Sequence, residues 1–453
     1  MSNRDVELLA IGGGPANLAL AVALEELGSG NGLGSGDLAE NSLVIERSPT
    51  VQWQQGLLMP WATSQVSFLK DVVTLRNPRS RFSFLNYLHS VGRLDDFINL
   101  GSSTPHRIEI SAYLAWVASS LSKVRLELGR ECASIEPHRD GRGTLTGWRT
   151  RLADGSTITS RYLVIGAGRD PYVPAVFAGL PASRMIHSTQ YRSRVAELSG
   201  SERRRVAVVG SAESAAEMFH ALPDDLPGCD IVWLMRSIGL KKYDTNKFVN
   251  ELFYPSFVDE FYGSRPEGRE QILREMHRTN YSGVAAGLLD RLYSDLYLDR
   301  LTHRNHRRVV TMAEVTGARE EGGEAVLEIT DRTTGTVTEL HRDLVFLGTG
   351  FVREQPALIR RLAAALGLAR VAVSRRYRLQ LDEPATAACY LQGVNEASHG
   401  IADSLLSMLA PRAADITADI LAHRAGKLDG CREAGRLAPV STVGSPTDGE
   451  LAR

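Results

Sequence analysis

The 453-residue chain has only four cysteines, Cys132, Cys229, Cys389 and Cys431, far apart, with no CxxC pair and no accompanying His/Cys cluster. A disulfide scaffold and a structural zinc are both disfavoured. Long apolar runs are missing too. The stretch MSNRDVELLAIGGGPANLALAVALEE is broken at Gly12 to Pro15 and again at Asn17, before the roughly 18 continuous apolar residues that a membrane span requires. Excess charge of one sign is also lacking: 52 Lys plus Arg against 53 Asp plus Glu leaves a formal charge of −1 and no long single-sign block. Nucleic acid and membrane surfaces are therefore disfavoured as partners, and a soluble, cytoplasmic protein is expected. The length predicts two or three domains.

What the chain does have is glycine at strand-to-helix junctions. Residues 6–11 (VELLAI) read as a short buried strand, and 17–27 (NLALAVALEEL) carry helical apolar spacing. Between them, Gly12 and Gly14 supply GxG spacing, followed by Pro15, with Asn17 in place of the third glycine. Such a turn brings backbone N–H groups against a pyrophosphate at a helix N-terminus. The next strand, Ser42 to Ile45, ends at Glu46, which is placed to accept the ribose hydroxyls of an adenosine. Glu46 lies 32 residues past Gly14, and the Gly/Ser-rich insertion LGSGNGLGSGDLAEN accounts for the extra length.

A second copy of the pattern starts at 205–210, where RVAVVG leads into SAESAAEMFHAL and then the strand DIVWLM. Gly210, Ser211, Glu213 and Ser214 form its turn, with alanines at the second and third glycine positions; taken alone this turn is ambiguous. Arg236, 26 residues past Gly210, stands where NAD sites carry an acid, and its guanidinium suits a 2′-phosphate, favouring NADPH. Two further strands, LVIGAG at 163–168 and LVFLGTG at 344–350, return beneath the nucleotide sites, the second bringing Thr349 to the cofactor. Two dinucleotide sites without redox cysteines predict that NADPH reduces a flavin, with O2 as the acceptor. Segment 240–300, rich in Tyr, Phe and Asn, reads as a helical insertion lining a substrate cleft.

Segment 177–191 (FAGLPASRMIHSTQY) resembles the linker fingerprint of flavin-dependent N-hydroxylating and Baeyer–Villiger monooxygenases, with His187 expected to be a packed linker histidine. GGGPANLALAVAL, VQWQQGLLMP at 51–60, SQVSFLKDVVTLRNPRSRFSFLNYLHSVGRL at 64–94, HRTNYSG at 277–283 and LQGVNEASHGIADSLLS at 391–407 occur in colinear order. Through these blocks, residues 5–425 resemble the ornithine/lysine N-monooxygenases of hydroxamate siderophore biosynthesis.

The resemblance implies an α/β fold with two Rossmann-like dinucleotide-binding domains, for FAD and NADPH, and a small helical substrate region. Along the chain this gives an FAD domain from 1–185 and 346–425, an NADPH domain over 186–345 with its helical insertion, and a disordered tail at 426–453. It also implies NADPH- and O2-dependent hydroxylation of a side-chain primary amine, by way of a flavin C4a-hydroperoxide. Lys70 and Asn250 would hold the substrate carboxylate. Asn280 would meet the amine and the NADP ribose and serve as the catalytic residue, and Ser407 would complete the pocket. Trp53, Gln54, Gln65 and Arg107 would line the flavin or its nucleotide, and Ser211, Glu213, Ser214 and Arg236 would meet NADPH. Three positions depart from the family pattern: Gln54 replaces the His of a Trp-His pair, Ser64 replaces the Met of Met-Gln, and the NADPH turn reads GSAES. The first two bear on peroxide lifetime and the third on NADPH affinity.

L-ornithine (N5) is the expected substrate and L-lysine (N6) the alternative; one methylene of pocket depth separates them, worth about 1–3 kcal/mol. Diamines such as putrescine or cadaverine would leave Lys70 and Asn250 without a carboxylate, and aspartate is a further alternative. An uncoupled NADPH oxidase and a nonenzymatic flavin-binding partner are the readings from other classes. A homo-oligomer, tetramer or dimer, is expected from the resemblance.

Overall fold

The computed structural model describes residues 3–28, 37–198, 203–281, 283–304 and 306–426. Most of the Gly/Ser-rich insertion and the tail expected to be disordered lie outside them. Apolar runs bounded by glycine form the strands, in chain order β1 (Asn3–Ile11), β2 (Ser42–Ile45), β3 (Arg125–Glu127), β4 (Cys132–Arg139), β5 (Leu145–Leu152), β6 (Thr157–Ile165) and β7 (Met185–His187). The chain continues through β8 (Arg205–Val209), β9 (Asp230–Leu234), β10 (Arg307–Val310), β11 (Ala313–Glu321), β12 (Glu324–Asp331), β13 (Val337–Arg342), β14 (Leu344–Leu347) and β15 (Ala388–Leu391).

Seven strands make the first sheet, in the order β3-β2-β1-β6-β5-β4, with β15 also paired to β6. Its centre is parallel, and β2 and β15 are buried along their whole length. Parallel strands covered on both faces need such unbroken apolar runs. The C-terminal helix Leu409–Arg424 packs on the helix Pro15–Leu27, so residues near both ends of the chain share one core.

The second sheet, β10-β9-β8-β14-β7, is wholly parallel and winds the same way from its first strand. A right-handed strand–helix–strand crossover produces this order in both sheets and opens a crevice at the carboxyl ends of β1 and β8. Four helices, Lys247–Glu251, Pro255–Gly263, Pro266–Asn280 and Ala286–Leu301, follow β9. A three-stranded antiparallel sheet, β11-β12-β13, follows them. That sheet has no counterpart in the sequence reading: β11 and β13 carry charged residues on exposed positions, so their apolar signal is thin. Among the described residues no helix is long and apolar enough to cross a membrane.

Candidate active site

Both nucleotide turns are built alike. Gly12 has φ +98°, and a Cβ there would stand 2.6 Å from the carbonyl oxygen of Gly166, just past β6. Gly210 has φ +137°, and its Cβ would stand 2.4 Å from the carbonyl oxygen of Gly348, just past β14. Only glycine fits either place. A side chain at Gly14 would project into open space, so the backbone there is free to approach a ligand. The helices Pro15–Leu27 and Glu213–Asp225 both begin without a side-chain cap, and a helix N-terminus of this kind suits a phosphate; at the second, the Glu213 N–H already donates to the Gly283 carbonyl. Pro15 occupies the first helical turn, where its missing N–H costs nothing. Both cradles fit a dinucleotide.

Glu46 stands at the first turn, its carboxylate accepting from the Gly13 N–H at 2.6 Å and the Ser48 N–H at 2.8 Å. Asn17 is fully buried and donates to the carbonyls of Ile11 and Gly12 while accepting from Gln392 at 2.7 Å. Gln392 in turn accepts from the buried Arg412, which also bonds Asp403. At the second turn Trp233 donates to the Gly210 carbonyl at 2.6 Å. Arg236 is exposed and lies 3.8 Å from Glu314, which Arg332 also approaches at 3.6 Å.

Two residues expected at the cofactors have protein partners of their own. Arg107, expected beside the flavin, is buried and makes a bidentate pair with Glu217 at 2.7 and 2.5 Å, tying the helix Arg107–Ser120 to the helix Glu213–Asp225. Glu213, expected at NADPH, accepts from the Ala285 N–H at 2.7 Å; burial raises its pKa. Both side chains work at the junction of the two sheets, because a buried charge needs a charged or hydrogen-bonding partner.

The remaining expected positions fall as follows. Gln65 donates to the Tyr243 hydroxyl at 3.2 Å, and Gln54 is exposed in a left-handed conformation (φ 52°). Trp53 packs on the first core, with its N–H donating to Ser111. Thr349 donates to the Tyr172 carbonyl at 2.5 Å. Ser211 and Ser214 line the opening of the second turn, both part-exposed. His187 is a packed linker histidine, held between Thr189 and the Gly350 carbonyl.

Three of the substrate candidates lie close, along the chain, to members of one small apolar cluster. Phe253, Val258, Met276, Ile401, Ala402 and Met408 form it, with Tyr281 packed against it. Asn250, which is exposed, comes three residues before Phe253, Asn280 four residues after Met276, and Ser407 directly before Met408. Ser407 is buried, and among the described residues its hydroxyl has no hydrogen-bond partner. Lys70 is half-buried, with its ammonium 4.8 Å from the ring centroid of Tyr254, four residues past Asn250. Asp71 does not pair with it: that carboxylate accepts from Val73, Thr74 and Phe84 instead. Among the described residues Lys70 forms no ion pair, and burial lowers its pKa. Tyr281, next to Asn280, donates to Glu396 at 2.8 Å, and Arg169 also approaches that carboxylate.

Sequence reading missed Tyr254, whose ring lies under the Lys70 ammonium; an aromatic has no periodic signature that marks it as a cation's neighbour. It also missed Lys241, Lys242 and Arg278, which line a cavity at the second turn. The adjacent lysines close behind Arg236 were their only signal.

Two like-wound sheets, each with a glycine turn opening on a shared helical region, define a two-nucleotide oxidoreductase architecture. The family model described as L-lysine 6-monooxygenase/L-ornithine 5-monooxygenase matches residues 4–353. The L-ornithine N(5)-monooxygenase of Pseudomonas aeruginosa is 38% identical over 427 residues, 92% of this chain and 94% of that protein. An ornithine hydroxylase structure from Pseudomonas aeruginosa superposes with a TM-score of 0.85 at 36% identity, covering 93% of this chain and all of the other. The Kutzneria sp. 744 ornithine N-hydroxylase with reduced FAD, NADP+ and L-ornithine gives 0.83 at 30% identity, covering 93% of this chain and all of that one. The chain belongs to the L-lysine 6-monooxygenase/L-ornithine 5-monooxygenase family.

Proposed function

We propose that the protein is an FAD- and NADPH-dependent monooxygenase that hydroxylates the side-chain amine of L-ornithine at N5, for a siderophore or another specialised metabolite. The observation that carries the amino-acid substrate is Lys70, a half-buried ammonium without an acid partner beside the helical cluster. Desolvated cations of this kind want a counter-ion, and the α-carboxylate of an amino acid supplies one where a diamine cannot. Bound FAD and NADPH supply the reducing equivalents and the activated oxygen.

The chain's own residues position the amine and manage its proton. The ammonium of free ornithine, with an ordinary pKa near ~10.4, must be neutral to act as a nucleophile. Asn280 offers a carbonyl acceptor and an amide donor without adding charge, so it orients the nitrogen without favouring its protonated form. Glu396, which accepts from the neighbouring Tyr281, is also approached by Arg169. Ser407 offers a buried hydroxyl that has no hydrogen-bond partner among the described residues. L-lysine is the second reading, because the matching family model covers both substrates.

A homo-oligomer, tetramer or dimer, in the cytoplasm belongs to the same proposal. The exposed Tyr293, Tyr297 and Leu301, at helical spacing on Ala286–Leu301, support association. The free thiols Cys132, Cys229 and Cys389 suit a reducing compartment. Mass spectrometry of reactions with FAD, NADPH and air, offering ornithine, lysine, putrescine, cadaverine and aspartate separately, tests the reading. One added oxygen on ornithine is the expected result, with KM for ornithine raised strongly by Lys70→Ala and flavin reduction by NADPH nearly unchanged. Peroxide without any hydroxylated product would sink the assignment.

A further inference from the structure

The helices Lys247–Glu251 and Pro255–Gly263 are joined without slack. The N–H groups of Leu252, Phe253 and Tyr254 donate to the carbonyls of Val249, Asn250 and Glu251, and Phe257 donates to the Tyr254 carbonyl. Asn250 and Tyr254 therefore shift together with the second helix. The Tyr254 ring meets the Lys70 ammonium, so where this unit sits decides how Asn250 stands relative to Lys70.

Apolar burial holds the unit down. Phe253 and Val258 belong to the small helical cluster, and Phe261 is fully buried with its ring against Gly400, where a Cβ would stand 3.5 Å from Cγ. Such burial is non-directional, and alone it lets a helix slide. The directional contacts come from one turn beside the first sheet, Val373 to Arg378. From it the Arg375 guanidinium donates to Asp259 on the helix Pro255–Gly263 at 2.6 Å and to Asp415 on the helix Leu409–Arg424 at 3.0 Å. The Tyr262 hydroxyl donates to the Val373 carbonyl at 3.4 Å, and its ring lies 5.3 Å from that of His399.

The turn itself is held firmly. Ser374 donates to the Arg378 carbonyl, Tyr377 donates to the Ser374 carbonyl, and Leu391 of β15 donates to the Tyr377 carbonyl. Tyr377 is buried at φ 65°, and a bulky residue persists in that region only where its surroundings hold it. Here His399 stacks on it at 4.2 Å between ring centroids, while the His399 Nε2 lies 3.1 Å from the Arg375 carbonyl.

We infer that Arg375 is a positioning residue for substrate binding: by bridging Asp259 to Asp415 it fixes the helix Pro255–Gly263, and through that helix Asn250 and Tyr254, against Lys70. The inference rests on the proposed reading of Lys70 and Asn250 as the carboxylate site. The Asp259 side chain is mostly exposed, so its pair with Arg375 adds little to folding. Its effect is to select one seat for a helix that apolar contacts hold without direction.

Isothermal titration of L-ornithine into the FAD-loaded, NADP+-saturated protein, with steady-state hydroxylation measured beside it, tests the inference. Arg375→Ala and Asp259→Asn should each weaken ornithine binding and raise its KM by about fivefold. At saturating ornithine kcat should stay within about twofold, as should the affinity for NADP+. The double variant should be no worse than Arg375→Ala alone, since both changes remove one bridge. Arg375→Lys, which keeps the charge, should recover most of the loss, and the urea midpoint should hardly move in any variant. Unchanged ornithine affinity in Arg375→Ala would overturn the inference. A matching fall in kcat, NADP+ affinity and urea midpoint would overturn it too, because the bridge would then be a general structural support. Wild type that binds no ornithine would sink the carboxylate reading and this inference with it, whereas ornithine binding that ignores Arg375→Ala would sink the inference alone.

Discussion

The two turns share their glycine geometry and differ in what surrounds it. At the first, the third position of the motif is Asn17, whose amide is the hub of a buried chain running through Gln392 and Arg412 to Asp403. At the second, the same position is Ala215, packed against Gly348, and the turn's own side-chain partner is Trp233, donating to the Gly210 carbonyl. The strand-end residues differ in the same sense, since Glu46 folds back onto its own turn while Arg236 faces solvent. The first site is fixed by residues far away in sequence. The second also rests on distant residues, Gly348 against Gly210 and Ala285 on Glu213, while its strand-end residue is open to solvent.

Breaking the polar chain at Arg412 should have the largest effect. Arg412 and Asp403 are 1% exposed at most, and Arg412→Ala strands the carboxylate. A loss of about 3–5 kcal/mol is expected in urea unfolding, with FAD released early in the transition. If stability and FAD retention stay at the wild-type level, the buried chain does not hold the first site.

Acid should weaken the same region next. His399 lies against Tyr377, Ser398 and the Arg375 carbonyl, and burial outweighs the pull of Asp403 to bring its pKa down to about 4. A depressed histidine contributes stability above its ordinary value and loses it as pH falls through the folded one. Between about pH 6.5 and 4 the protein should lose about 3 kcal/mol through this group. His399→Gln should flatten that slope in unfolding measured across the window, and an unaltered slope would assign the acid sensitivity elsewhere.

The paired glycine variants sharpen the comparison with the smallest expected change. Gly12→Ala and Gly210→Ala each force a Cβ onto a carbonyl at positive φ, worth about 1–3 kcal/mol. Each should weaken its own cofactor by up to about a hundredfold and leave the other within about threefold. Flavin absorbance of the purified protein reads the first, and NADP+ titration the second. Loss of both cofactors from either variant would show that the two turns do not act independently.

The turns were legible in the sequence because backbone sterics leave so few residues that can occupy them. Gly12, Gly14, Pro15 and Gly210 announce themselves by spacing, and the buried parallel strands announce themselves by unbroken apolar runs. The protein partners of Arg107 and Glu213 were not legible in the sequence. The partner of Arg107 is 110 residues away, and nothing in a local pattern records so distant a contact. Asn17 was read as a missing glycine, although its amide organises the first site. At the substrate region the quoted blocks led to Lys70, Asn250, Asn280 and Ser407, while the absence of an acid beside Lys70 needed the structure.

The last strand of the first sheet, β15, and the helix packed on its opening helix come from residues 388–424. Synthesis runs at about 5–20 residues per second, so on the ribosome the second sheet, whose strands span 185–347, is complete first. The earlier-made strands β1 to β6 wait, with an exposed apolar face, for the chain's end to arrive. A nascent chain halted before residue 388 would have both glycine turns and still lack the strand and the helix that complete the first sheet and its core.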